Sequence, residues 1–188
     1  MELVSKAIIF ATKAHDGMRR KNEELPYIIH PLEAAVIVST MTFDQEVIAA
    51  SVLHDVVEDA GVTIEEVYNE FGERVKYLVE SETENKRNHL SSESTWKIRK
   101  EESLEVLKNT DDIDILKVWL GDKLANMRAI YEDWKIFGDD VWKKFNQKDP
   151  LQHKWYYSSI AKYTAALKEY KAWQEYNQLV NIVFGKGE

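Results

Sequence analysis

Residues 53 to 59 read LHDVVED and close an apolar run, EVIAASVLHDVVED, that begins at Glu46. The run sets one imidazole, His54, and the carboxylates Asp55, Glu58 and Asp59 at the end of a helix that is otherwise hydrophobic almost all round. Such groups are costly to bury unless they are paired or bound. Glu58 and Asp59 follow His54 and Asp55 by one helical turn each, a spacing that gathers all of them into one patch. Neutral imidazole with carboxylate is a ligand set suited to a divalent transition metal. A single helix supplies only part of a coordination sphere, so the remaining ligands must come from elsewhere.

The chain offers two further groups in suitable places. His30 precedes Pro31, and proline sits well at the start of a helix, a rigid point from which to project a ligand. Asp122 lies within WLGDKLANMRAI, a strongly apolar helical segment, with Asn126 one turn further along the same face. His30, His54, Asp55 and Asp122 are therefore the expected ligands, with coordination positions left for water and substrate. Taken singly, each has a plainer reading. A buried histidine is usually a hydrogen-bonded core residue, Asp122 can pair with Lys123 or Arg128, and Glu58 and Asp59 can form a solvated helix end. The combination is more specific than its parts.

The elements that must position these groups read as helices. Helical spacing of apolar residues recurs along the chain, and strand-like alternation is hard to find. Leu3, Ala7, Phe10, Ala11 and Ala14 share one face of a first helix that stops near Gly17. A polar, basic loop follows, and a second helix is expected from Pro31 to Thr40. Thr42 with Gln45 reads as a capping box for the helix ending in LHDVVED, and Thr63 with Glu66 as another before Gly72. Further helices are expected over 72–81, 96–108, 113–136, 139–146 and 151–174, with a short last one before Gly185 and a polar loop over 82–95. Gly121 costs the third of these about 1 kcal/mol against alanine, which points to close packing or ligand approach. The expected architecture is one all-α domain over residues 1–188, a helical bundle whose C-terminal helices at 139–184 complete it.

Composition narrows the function classes. The formal net charge is −8, so a polymeric nucleic-acid partner is not expected, whereas a small phosphorylated ligand held by local cations or a metal is compatible. There is no cysteine, which excludes disulfides, thiolate catalysis and cysteine-based metal sites and fits a cytoplasmic location. No stretch approaches the roughly 20 apolar residues of a membrane span, so no membrane partner is expected. A homo-oligomer stays open.

At these residues the chain resembles a known family. His30, the His54–Asp55 pair and Asp122 match the signature of HD-domain metal-dependent phosphohydrolases. The segment AHDGMRRKNEELPYIIHP resembles the A-H-x-G-Q-x-R-K…P-Y-I-x-H-P of RelA/SpoT-type alarmone hydrolases. LHDVVEDAGVTIEEVYNEFGERV resembles their L-H-D-x-V-E-D-T…F-G-x-x-V, and LGDKLANMRAI their L-A-D-K/R-L-x-N-M-R-x-L. The matching blocks run in order from about residue 11 to 131.

The resemblance implies an all-α HD fold and manganese held by His30, His54, Asp55 and Asp122. It implies that Glu58 and Asp59 orient or deprotonate the attacking water, that Asn126 lines the nucleotide pocket, and that Arg20 and Lys21 contact the guanine nucleotide. The reaction implied is hydrolysis of the 3′-pyrophosphate of guanosine tetra- or pentaphosphate (ppGpp, pppGpp) by a small stand-alone hydrolase. Another nucleotide would be served by the same metal chemistry, and a nucleotide-sensing or antitoxin module is the alternative from a different class. An intact ligand set with its acidic pair favours the enzyme.

Outside the matching blocks, Lys154 and Tyr157 are candidates to reach a phosphate, as are Lys97, Arg99 and Lys100. His15 reads as structural, and His89 and His153 as surface residues.

Overall fold

The structure is a computed structural model that describes residues 1–20, 24–87 and 89–185. Among the described residues there is no strand. The elements in order are α1 (Leu3–Ala14), α2 (Ile29–Ser39), α3 (Gln45–Leu53), α4 (Val56–Asp59), α5 (Ile64–Phe71), α6 (Glu73–Glu82), α7 (Ser92–Asn109), α8 (Ile113–Phe137), a 3-10 helix (Gly138–Lys144), α9 (Pro150–Tyr163), a 3-10 turn (Ala165–Leu167) and α10 (Lys171–Phe184). The all-α expectation holds.

Helix α8 is the axis of the bundle. It is apolar on most of its circumference, as a helix packed from several sides must be, and α2, α3, α6 and α10 pack on it. Leu120, Leu124 and Met127 on this helix are fully buried. Gly121 explains how α2 approaches so closely: a Cβ there would meet Val38 Cγ2 at 2.6 Å and the Ala34 carbonyl oxygen at 2.9 Å. Helix α1 lies against α3, and α7 against α9. The buried apolar side chains of α1 through α10 form one contiguous core.

Local chemistry accounts for the helix starts. Thr63 accepts the Glu66 N–H while the Glu66 carboxylate accepts the Thr63 N–H, the expected capping box of α5. At α3 the cap is Asp44, whose Oδ1 accepts the Glu46 N–H at 2.9 Å. Thr42 instead accepts the Asp44 N–H at 3.1 Å, so it braces the cap without being it.

Other expectations need correction. The polar loop is shorter than 82–95, because Ser91 accepts the Ser94 N–H and starts α7 at Ser92. The stretch 139–146 is 3-10 helix over Gly138–Lys144. The helix expected over 151–174 is two helices, α9 and α10. The Thr164 hydroxyl and N–H both turn back to the Ile160 carbonyl, at 2.7 and 2.9 Å, and the chain then passes through the 3-10 turn. No described helix is long and apolar enough to cross a membrane.

Candidate metal centre and its pocket

The helix expected to run through LHDVVED breaks at His54 and Asp55. Helix α3 ends at Leu53 and α4 begins at Val56. The His54 ring explains part of the break: its Nδ1 lies 2.8 Å from the Ser51 carbonyl, the acceptor that an uninterrupted helix offers to the Asp55 N–H. One turn survives, since the Asp59 N–H donates to the Asp55 carbonyl at 2.8 Å and keeps these two residues on one face.

The hydrogen bond to Ser51 also sets the imidazole's chemistry. With the proton on Nδ1, the Nε2 lone pair faces the cluster, and this buried Nε2 has no hydrogen-bond partner. His30, in the first turn of α2, brings its Nε2 to 2.9 Å from Asp122 Oδ1. Asp122 Oδ1 stands 3.6 Å from His54 Nε2. Asp55 Oδ2 lies 3.0 Å from His54 Nε2 and 3.6 Å from His30 Nε2. Ligand atoms of His30, His54 and Asp122 all fall within 4.8 Å of one another. A buried, unsatisfied imidazole nitrogen among carboxylates is what a divalent cation would satisfy, so these residues fit one.

The electrostatics agree. Burial alone would raise the Asp122 carboxyl, but Lys123, His30 and His54 outweigh it and hold it well below the usual range. Burial disfavours charge on His54, yet Asp55 and Asp122 carry its pKa well above the ordinary value. Partners that stabilise a proton on that ring would stabilise a cation in its place. Asp122 is braced on both sides: Asn126 Nδ2 donates to Oδ1 at 2.6 Å, and the Lys123 ammonium pairs with Oδ2. Lys123 reaches on to Glu82 at 3.2 Å, where burial, against the pull of Lys123, pushes the Glu82 carboxyl up to about 8. Arg128, the other partner considered for Asp122, binds Glu33 and Glu175 instead.

Glu58 and Asp59 stand beside the cluster on the wall of a cavity of about 300 Å³. The Tyr27 hydroxyl lies 2.8 Å from both Asp55 Oδ2 and Asp59 Oδ2, so its single proton is shared between a candidate ligand and the acidic pair. Burial and the neighbouring Glu84 and Asp55 charges raise the Glu58 carboxyl to about 7. A carboxylate poised near neutrality is suited to accept a proton.

Of the residues expected to meet substrate, Arg20, Asn126 and Tyr157 line the same cavity, and Arg20 Nη2 donates to Asn126 Oδ1 at 3.0 Å. Lys21 lies outside the described residues. Lys154 is exposed and is not brought to this cavity; it borders a separate one with Trp134, Trp142 and Leu151. Lys100 reaches the cavity wall but is bound to Glu84, as is Arg99, and Lys97 sits over the Trp155 ring. His89 is exposed as expected. His15 is buried against Tyr27, with ring centroids 4.8 Å apart, consistent with a structural part. His153 is not a surface residue: it is buried against Trp142, Phe145 and Trp96, and its Nε2 lies 2.8 Å from the Gln147 carbonyl.

Sequence reasoning gave no role at the site to Tyr27, Glu82, Glu84, Lys86 or Phe145. Tyr27 sits three residues before His30, and a tyrosine placed so near a candidate ligand was the available signal. The others come from segments remote in sequence and carried none.

Comparison with known proteins places the chain. The family model described as HD domain matches residues 7–148. The chain is 34% identical over 158 residues to the guanosine-3′,5′-bis(diphosphate) 3′-pyrophosphohydrolase of Aquifex aeolicus (strain VF5), covering 81% of this chain and 21% of that protein. It is 37% identical over 137 residues to a putative chloroplastic GTP diphosphokinase, RSH1, of Oryza sativa subsp. japonica, covering 69% of this chain and 15% of that one. The chain thus spans only about a fifth of the length of these curated relatives or less.

Among solved structures, lmo0812 from Listeria monocytogenes EGD-e superposes with a TM-score of 0.72 at 32% identity, over 84% of this chain and 99% of that one. A metazoan ortholog of SpoT that hydrolyses ppGpp superposes with a TM-score of 0.78 at 22% identity, over 97% and 96%, a likeness of fold. With the family model covering residues 7–148 and His30, His54 and Asp122 of the signature meeting at one buried cluster, this chain belongs to the HD-domain family.

Proposed function

We propose that this protein is a manganese-dependent hydrolase that removes the 3′-pyrophosphate of guanosine tetra- and pentaphosphate, giving pyrophosphate and GDP or GTP. The observation that carries the reading is the meeting, in one cavity, of a buried His/His/Asp cluster, an acidic pair and the Arg20–Asn126 pair. The Aquifex relative bears the name of this activity and matches most of the chain.

In this reading His30, His54, Asp55 and Asp122 hold the cation. A bound divalent cation supplies Lewis acidity and charge neutralisation to a phosphoryl oxygen. The chain's own residues do the remaining work. Glu58, near neutrality in its pKa, takes the proton from the attacking water, and Asp59 with Tyr27 orients that water. Asn126 and Lys123 keep the Asp122 carboxylate in one orientation. Arg20 offers a planar guanidinium that can stack on a base or bind a phosphate, with Lys21 beside it in sequence. Tyr157, Phe145 and Ile130 give the cavity apolar lining against which a purine can lie.

The test is a nucleotide panel. Purified protein with Mn²⁺ is incubated with ppGpp, pppGpp, GTP, ATP and other nucleoside phosphates, and products are separated by anion exchange. Pyrophosphate with GDP from ppGpp is the expected result. Turnover of other nucleotides with none of ppGpp or pppGpp would overturn the substrate, and turnover of none would favour a nucleotide-sensing module.

A further inference from the structure

One short segment touches both members of the acidic pair from outside their own helix. Between α6 and α7, the Glu84 backbone N–H donates to Glu58 Oε2 at 3.2 Å. Two residues on, the Lys86 ammonium pairs with Asp59 Oδ1 and stands 3.6 Å from Glu58 Oε1. Residues 84 and 86 therefore touch both members of the pair, which lie 26 and 27 positions away in the chain.

The segment is itself anchored. The Glu84 carboxylate receives Arg99 Nη1 and Lys100 Nζ from α7 at 2.7 Å each, and the Ser103 hydroxyl at 3.0 Å. Its side chain is only 8% exposed, so this tie is screened from solvent. An exposed ion pair between flexible side chains contributes little. Here a single ammonium spans two carboxylates, and the backbone that carries it is fixed at the preceding turn.

The pair needs such a constraint. Glu58 and Asp59 stand beside Asp55, and adjacent carboxylates repel one another and any phosphorylated substrate. On their own they would spread apart into the cavity. A cation between them reduces that repulsion and sets the distance between the two oxygens facing it. The Tyr27 hydroxyl holds Asp59 from the opposite oxygen, Oδ2, so Asp59 is clamped at both ends.

We propose that Lys86 is a positioning residue for the Glu58–Asp59 pair, holding both carboxylates in the arrangement that accepts a proton from water, with Glu84 tying it to α7. Its catalytic consequence rests on the hydrolase reading above; the positioning itself does not.

The test compares wild-type protein with K86M and K86R. Three quantities are read: Mn²⁺ affinity, kcat and KM for ppGpp, and hydrogen exchange of the Glu84 amide. K86M should bind Mn²⁺ as wild type does, lose roughly 10- to 100-fold in kcat and change KM by less than about threefold, the cost of a misplaced catalytic group. K86R should recover most of the lost kcat. The Glu84 amide should exchange at least about tenfold faster in K86M, since its acceptor Glu58 is released.

Wild-type kcat in K86M, or a K86R enzyme as impaired as K86M, would overturn the proposal. If wild-type protein turns over no ppGpp, the hydrolase reading fails by itself. The exchange rate then decides the inference: faster exchange in K86M upholds it, and unchanged exchange refutes it.

Discussion

The floor of the cavity and its rim are built differently. The floor is His30 on α2, the His54–Asp55 break after α3, and Asp122 in the middle of α8, all within helices or directly at their ends. Three of its groups are nearly removed from solvent, with side-chain exposures of 4% for His30, 1% for His54 and 5% for Asp122, and Asp55 is 15% exposed. The rim is the α1–α2 connection with Arg20 and Tyr27, the α6–α7 connection with Glu84, and Lys144 at the end of the 3-10 helix with Phe145 after it. Binding a cation demands fixed donors, which packed helices supply. Choosing a substrate demands variable contacts, which connecting segments can change without unfolding the core.

This contrast can be broken at several points. The largest expected effect lies where floor meets rim. Glu58→Gln should leave cation affinity unchanged and reduce kcat by about 10²- to 10⁴-fold, the usual contribution of a positioned proton acceptor. Steady-state kinetics alongside Mn²⁺ titration checks it, and a fully active variant would remove Glu58 from the chemistry.

Next comes the tie between α6 and α7. Burial alone would raise the Glu84 carboxyl from 4.5, but Lys100, Lys123 and Arg99 hold it at about 2. A carboxyl depressed on folding contributes stability that is fully present above its unfolded pKa and is lost as pH falls through the folded one. About 3 kcal/mol should therefore disappear between roughly pH 5 and pH 2. Glu84→Gln should flatten that part of the stability curve in urea unfolding. An unchanged curve would mean that the rim is not tied there.

Gly121→Ala tests the floor's packing. Alanine improves helix propensity, but its methyl would strike Val38 and the Ala34 carbonyl, so a net loss of about 1 to 3 kcal/mol is expected. Thermal melting reads the sign directly, and a stabilised variant would show that α2 and α8 can move apart. The smallest effects belong to the rim. Arg20→Ala should raise KM by about tenfold, the value of one charge-assisted contact, whereas Lys154→Ala, facing a different cavity, should leave KM unchanged.

The same contrast explains what the sequence made legible. His54 and Asp55 could be singled out because polar groups inside an apolar run are a local anomaly, and Asp122 stood out for the same reason. The Thr63–Glu66 cap was legible because both partners lie within one turn. Thr42 was mistaken for a cap because Asp44, two residues on, competes for the same helix start. His153 looked like a surface residue because the ring that stacks on it, Trp142, and the others around it, Phe145 and Trp96, come from other elements. Glu84 and Lys86 read as part of a solvated loop, since their partners Glu58 and Asp59 lie across the fold. The break at His54 was missed because helical spacing records the face of a residue and not whether its side chain competes for a backbone carbonyl.

In the proposed reading, His30, His54, Asp55 and Asp122 together bind a divalent cation on which turnover depends. Mn²⁺ titration followed by electron paramagnetic resonance, on wild-type protein and on Asp55→Ala, tests it most directly. One tight Mn²⁺ per wild-type chain is expected, with tight binding and ppGpp turnover both lost in the variant. Wild-type protein with no tight Mn²⁺, or an Asp55→Ala protein that binds Mn²⁺ and hydrolyses ppGpp as wild type does, would contradict it.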